Sequence, residues 1–233
     1  MGVLLVAMAA FIGTHFVMSH PLRAPMVAAL GAVKFQLVYS LISLLSFGWV
    51  IYAFWCAPPG APLWIAGDAI WALASAIMLG GSILFAGSII GNPALPQPGA
   101  QAMAQAAARG VFAITRHPMM WGFTAWSVTH LLVSPQPRVL ILTIGIAILA
   151  LGGSLGQDRK KAVLMGGAWA GWVARTRFIP FAGQISGAIA WRAAWPGRTI
   201  ILIGSALWLL ASWAHPYLGA PVVGIWRWLL FRE

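Results

Sequence analysis

The chain is a succession of long apolar stretches that almost never meet a charged side chain, and that pattern leaves it very few environments to fold in. The stretches run from Val3 to Met18, Phe35 to Trp55, Leu63 to Ile90, His117 to Val133, Val139 to Leu155 and Thr199 to Trp213. Each reads as a span of a hydrocarbon layer about 30 Å thick. Of the 233 residues 61% are hydrophobic and 7% charged, where a soluble domain carries about a quarter charged. In lipid every backbone polar group must be satisfied within the chain, which favours helices. The expected fold class is all-α: a polytopic membrane helix bundle of about six transmembrane helices plus interfacial helices, forming one domain over residues 1–233. A separate soluble catalytic domain is excluded. The opening from Met1 to Val17 lacks the positive n-region of a signal peptide and is expected to be a retained first helix.

The connections carry the turn chemistry. Pro21, Arg23, Pro25 and Lys34 mark the first, and the run from Cys56 to Gly60, Cys-Ala-Pro-Pro-Gly, closes the second span. Gly80 and Gly81, in the middle of the third span, permit close helix contact or a bend. Between Gly91 and Arg109 a Pro-rich loop precedes an Ala- and Gln-rich stretch expected to form a short helix on the membrane surface. A tight turn from Ser134 to Arg138 joins spans four and five. Gln157 to Arg198 holds seven basic residues and four tryptophans, a content suited to helices in the headgroup region. The tail from Val222 to Phe231 is too short to cross.

The net charge of +11 would suggest nucleic acid in a soluble protein, but these cations fall in loops between apolar spans and read as topology and contact with anionic lipid. Connections one, three and five hold Arg23, Lys34, Arg109, Arg116, Arg159, Lys160, Lys161, Arg175, Arg177, Arg192 and Arg198. The opposite side holds Arg138, Arg227 and Arg232. Eleven of the fourteen cations on one side place both termini outside and Arg116-His117 inside.

Asp68, Asp158 and Glu233 are the only acids, far apart in the chain and at different expected depths. Paired-carboxylate catalysis and a hard-cation site are therefore not expected, and a Ser-His-Asp arrangement lacks its buried acid. Asp68 reads as a residue at the water interface. The single cysteine, Cys56, rules out an intramolecular disulfide and is expected to be a packed apolar thiol at a helix end. Histidine is what remains: His15, His20, His117, His130 and His215. Each alone can sit at an interface bonded to a carbonyl, and His20, before Pro21, is assigned to that role. Taken together, histidines at or within apolar spans imply a bound metal or haem, because ionisable groups in hydrocarbon are costly and imidazole nitrogens within an aromatic wall suit haem iron. Met119 and Met120 read as packing.

The stretch Gly110-Val-Phe-Ala-Ile-Thr-Arg-His-Pro-Met-Met-Trp-Gly122, followed by Trp126 and His130-Leu-Leu, resembles the central motif of the NnrU family, to which 15-cis-ζ-carotene isomerase also belongs. The order of spans, the histidine near the end of the first helix and the final His215-Pro216 fit the same family. Trp169 to Phe181, WAGWVARTRFIPF, is similar to a segment of isoprenylcysteine carboxyl methyltransferases, which bind S-adenosylmethionine. Lys160 and Lys161 stand where those enzymes have paired glutamates, and that reversal of charge counts against methyl transfer.

The resemblance implies a bacterial inner-membrane protein with both termini periplasmic, tied to denitrification and nitric oxide metabolism. It also implies haem b held by two histidines, as in the isomerase, which acts on a carotenoid polyene. Carried over by position, the iron ligands fall on His15 and His130, with His117 an additional essential residue near the haem. Arg116 either snorkels at the inner interface or pairs with a haem propionate or another anion. Depth arithmetic leaves about 10 Å between His15 and His130 along the membrane normal. His15 with His117, or His130 with His215, are therefore the alternative pairs. An isomerase would further need a lipid-accessible apolar channel beside the iron.

Overall fold

The computed structural model describes residues 1–230; Phe231, Arg232 and Glu233, which entered the expectations above for the tail, the charge asymmetry and the acids, lie outside the described residues. Among the described residues every regular element is helical: α1 (Gly2–Ser19), α2 (Arg23–Leu30), α3 (Ala32–Cys56), α4 (Asp68–Gly87), α5 (Ala100–Gln105), α6 (Val111–Ile114), α7 (Pro118–Val133), α8 (Pro137–Met165), α9 (Gly167–Arg175), α10 (Ala182–Ile185), α11 (Arg198–Ala214) and α12 (Trp226–Leu230). Single 3-10 turns follow at Trp191–Ala194 and His215–Leu218.

Five helices are long and apolar enough to cross a membrane: α1, α3, α4, α8, and α11 with the turn that continues it. The sixth expected span is α7, whose 16 residues reach about 24 Å, short of a straight crossing. It packs between α4 and α8, so its backbone and polar side chains are enclosed by protein. Pro118 and Pro137 start α7 and α8 at the position where a missing N–H costs nothing. The outward side of α3, with Leu37, Leu41, Leu44 and Tyr52, is left exposed to lipid.

The helix directions alternate as a multi-pass chain requires. A Cβ on Gly81 of α4 would lie 2.7 Å from that of Ala125, and one on Gly122 of α7 would lie 2.9 Å from the Gly81 carbonyl oxygen. With Met78 against Thr129, this contact runs antiparallel. Gly204 of α11 meets Ile83 of α4, while Ile200 meets Gly87, again antiparallel. Along α8, Gly145, Gly152 and Gly156 meet Met8, Phe16 and His20 in turn, so α1 and α8 run parallel. Glycines thus set the crossings by letting backbones approach, the small-residue packing expected in membranes. Of the Gly80-Gly81 pair, only Gly81 does this; a side chain on Gly80 would meet open space.

Several sequence expectations are corrected. The third span begins at Asp68, and Leu63 to Gly67 are loop. The first connection contains α2, with Pro25 in its first turn, where proline is tolerated. The fifth span does not end at Leu155. It continues to Met165, because Lys161 donates from Nζ to the carbonyls of Pro93 (2.9 Å) and Leu95 (3.2 Å) and so docks the emerging helix on the loop before α5. Gly166, at φ 51°, then breaks the helix and starts α9. Two of the four tryptophans assigned to the headgroup region, Trp169 and Trp172, are buried instead, packed with Ala94 and Ala104 in a small second core. Cys56 is exposed at the end of α3 rather than packed.

If the α4–α7 crossing holds the bundle together, Gly122→Leu will lower the thermal midpoint of the detergent-solubilised protein by an overpacking cost of about 1–3 kcal/mol. Gly80→Ala will leave it unchanged. Equal effects of the two would contradict the glycine contact.

Candidate functional site

The Arg-His-Pro motif sits where α6 gives way to α7, and a distant part of the chain holds it. Thr115 Oγ1 donates to the Phe178 carbonyl at 2.6 Å, the Arg116 amide to that of Arg177 at 2.8 Å, and Trp121 Nε1 to that of Phe178 at 2.9 Å. In return the Phe181 amide donates to the Ile114 carbonyl at 3.0 Å, and Gln184 Nε2 to that of Ala113 at 2.9 Å. The two stretches singled out by sequence, Gly110 to Gly122 and Trp169 to Phe181, are therefore one structural unit. Phe181 adopts a left-handed φ of 62° to complete it, a strain that persists because both sides of the turn are bonded.

Asp158 of α8 reaches into this unit. Arg116 donates to it through Nε (2.9 and 3.1 Å) and Nη2 (2.6 Å), and its guanidinium lies 5.3 Å from the centre of the Phe178 ring. His117 donates from Nε2 to the same carboxylate at 2.8 Å. Because an ionised carboxylate only accepts, His117 carries its proton on Nε2. Its side chain is 1% exposed, its ring faces Phe178 and Trp169, and its buried Nδ1 has no hydrogen-bond partner. Asp158, which by its place in the chain read as isolated, thus stands beside a histidine and an arginine. Of the two readings of Arg116, the structure shows pairing with an anion, and that anion is Asp158. His117 has no ring nitrogen free toward a cavity, so it acts here as a clasp between α7 and α8. Asp68, as expected of an interface residue, is exposed and pairs with Arg227 at 3.1 Å.

The remaining candidate histidines share one local geometry. His15 Nδ1 donates to the Phe11 carbonyl (2.8 Å), His130 Nδ1 to that of Trp126 (2.8 Å) and His215 Nδ1 to that of Ala211 (2.7 Å). Each bond runs to the carbonyl four residues back on the histidine's own helix. It fixes the tautomer and leaves Nε2 as a free lone pair, the arrangement of a metal-ligating imidazole.

Their surroundings separate them into two places. His15 lines a cavity of about 490 Å³ among α1, α3, α7 and α8, walled by Phe11, Phe16, Phe47 and Phe123, with Met120 on the α7 side and Gln157, Lys160 and His20 toward the inner end. Burial, and then the charges of Lys160 and Arg159, hold the His20 imidazole below its ordinary pKa. His130 and His215 line a separate cavity of about 110 Å³ between α4, α7 and α11, their ring centres 6.1 Å apart and their planes within 22°. Gly152 meets Phe16 and Asp158 meets His117, which sets His15 near the level of Phe123, and His130 lies seven residues further along α7, about 10 Å at the helical rise. The structure therefore brings His130 to His215 and His117 to Arg116, and does not bring His15 to His130. A third cavity, an apolar groove of about 770 Å³, lies on another face of α7, beside Trp121, Ala125 and Val128.

The family model described as NnrU protein matches residues 3–222. No curated protein and no solved structure matches the chain.

The clasp makes a specific energetic demand, because removing one member of a partly buried ion pair leaves the others uncompensated, at a cost below the roughly 3–5 kcal/mol of a fully buried pair. Asp158→Ala is expected to lower the thermal midpoint sharply, and the added cost of Arg116→Ala to be smaller in that variant than in the wild type. Additive effects would show that Arg116 and Asp158 act independently.

Proposed function

The chain belongs to the NnrU family, and from that premise we propose that it is a haem b protein of the membrane in which His15 is the iron ligand and the cavity beside it the haem site. The observation that carries the reading is the match between one free imidazole nitrogen and its chamber. His15 Nε2 is left free by the bond from Nδ1 to Phe11, and the volume of about 490 Å³ falls within the range of cofactor sites. The aromatic wall of the chamber suits a porphyrin face, and its inner end carries cations suited to propionates. Phe11 and Tyr39 set the His15 ring from either side, with ring centres at 4.5 and 5.5 Å. Lys160 and His20 line the same cavity, and Arg23 stands near Lys160 in the adjoining cleft.

When bound, haem supplies a one-electron couple and a coordination position for a small diatomic such as nitric oxide, which fits a redox or nitric-oxide-linked role in nitrogen-oxide metabolism. The chain's own residues orient the imidazole, exclude water with aromatic side chains and offset the anionic end. The charge asymmetry of the loops and the alternating helix directions support a bacterial inner-membrane location with both termini periplasmic.

The reading does not extend to polyene isomerisation, because the lipid-facing groove beside Trp121 and Ala125 lies on another face of α7 from Met120 and Phe123. Methyl transfer is disfavoured for a second reason besides charge, since Lys161 is committed to two backbone carbonyls.

Protein purified from cells supplied with haem is expected to show a Soret band and sharp reduced bands. His15→Ala abolishes or shifts the spectrum, while His130→Ala and His117→Ala leave the ligation unchanged. A colourless wild type, or loss of ligation in His130→Ala alone, would overturn the assignment.

A further inference from the structure

The second cavity has a donor set that the haem reading does not use, and it is too small for a macrocycle. His130 and His215 both line it, each with Nδ1 tied to its own helix and Nε2 free. Their ring centres are 6.1 Å apart, a span that a single ion between two imidazole nitrogens bridges at about 2 Å per bond. A third donor is at hand. Met78 of α4 lines the same cavity, its sulfur 3.8 Å from the Thr129 hydroxyl, which donates to the Trp126 carbonyl at 2.9 Å and so leaves the sulfur lone pairs free. No Asp, Glu, Cys, Lys or Arg lines this space.

We propose that His130, His215 and Met78 form a binding site for one copper(I) ion. Imidazole and thioether are soft, neutral donors of the kind that select copper(I). Neutrality also decides the charge state: with no carboxylate or thiolate lining the cavity to offset it, a divalent ion would leave more uncompensated charge in a low-dielectric interior than a monovalent one. Two imidazoles with a thioether as a weaker third donor suffice for copper(I), whereas the four-ligand set of a structural zinc site is absent from this cavity. The segment after α11 forms one wall of the cavity, where Val223 and Gly224 line it and Trp226 Nε1 donates to the Leu209 carbonyl and Ser212 Oγ. The proposal does not rest on haem at His15, because the two cavities share no residue.

The test is anaerobic titration of the purified full-length protein with the copper(I)–bicinchoninate complex, whose colour is lost as the metal is withdrawn. The exposed Cys56 is replaced by Ser throughout, so that no thiol competes. One equivalent of copper is expected to leave the chelator. His130→Ala and His215→Ala abolish the transfer, Met78→Leu weakens it on the order of tenfold, and His15→Ala leaves it unchanged. X-ray absorption of the copper-loaded protein, independent of any variant's folding, is expected to show a shell of nitrogen with sulfur. No transfer, equal transfer by His130→Ala or His215→Ala, loss of transfer in His15→Ala, or a shell without histidine nitrogen would each overturn the site.

Discussion

One carboxylate organises the inner end of this bundle. Asp158 accepts from Arg116 and from His117, and it is half-enclosed among apolar and aromatic side chains where an unpaired charge would be costly. The three groups form one unit of donors and acceptor rather than three surface charges. Its consequence is positional. The N-terminus of α7 is held against α8 at one level, and the turn through Phe178 is held against the start of α7. Once α7 is placed, so are the side chains along it: Met120 and Phe123 beside His15, and His130 beside His215 about two turns beyond Phe123.

The placement divides the histidines by role. His117 has one ring nitrogen on Asp158 and the other enclosed without a partner, so it contributes to structure. His15, His130 and His215 each turn one nitrogen to their own helix and keep the other free. Three identically prepared imidazoles, in two cavities that differ severalfold in volume, fit two occupants of different size better than one occupant shared between distant helices.

Much of the fold was legible in the residues. The apolar stretches marked the crossing helices, the turn from Ser134 to Arg138 marked the break between two of them, and the charge asymmetry gave an alternation that the helix directions obey. The motif Gly110 to Gly122 was legible as a site, but its chemistry was not. Asp158 looked isolated because apolarity falls away at Leu155, whereas the helix itself runs ten residues further on the strength of Lys161 and two distant carbonyls. Trp169 and Trp172 read as interfacial because composition cannot tell a tryptophan at the headgroups from one buried against Ala94 and Ala104. The mismatch in depth between His15 and His130 was visible in helix arithmetic, and the helix register keeps it. What no local pattern could supply was which helices face each other, and the glycine contacts at Gly81, Gly122 and Gly204 settle that.

The proposed haem site has a single histidine, His15, to hold the iron. The most direct measurement is pulsed electron–nuclear spectroscopy of the ferric protein grown on ¹⁵N-labelled histidine, which counts the imidazole nitrogens bound to the metal. One labelled axial nitrogen is the predicted result. Two would show that His15 and a second histidine meet on one haem, and would contradict both the division into two cavities and the helix levels from which it follows.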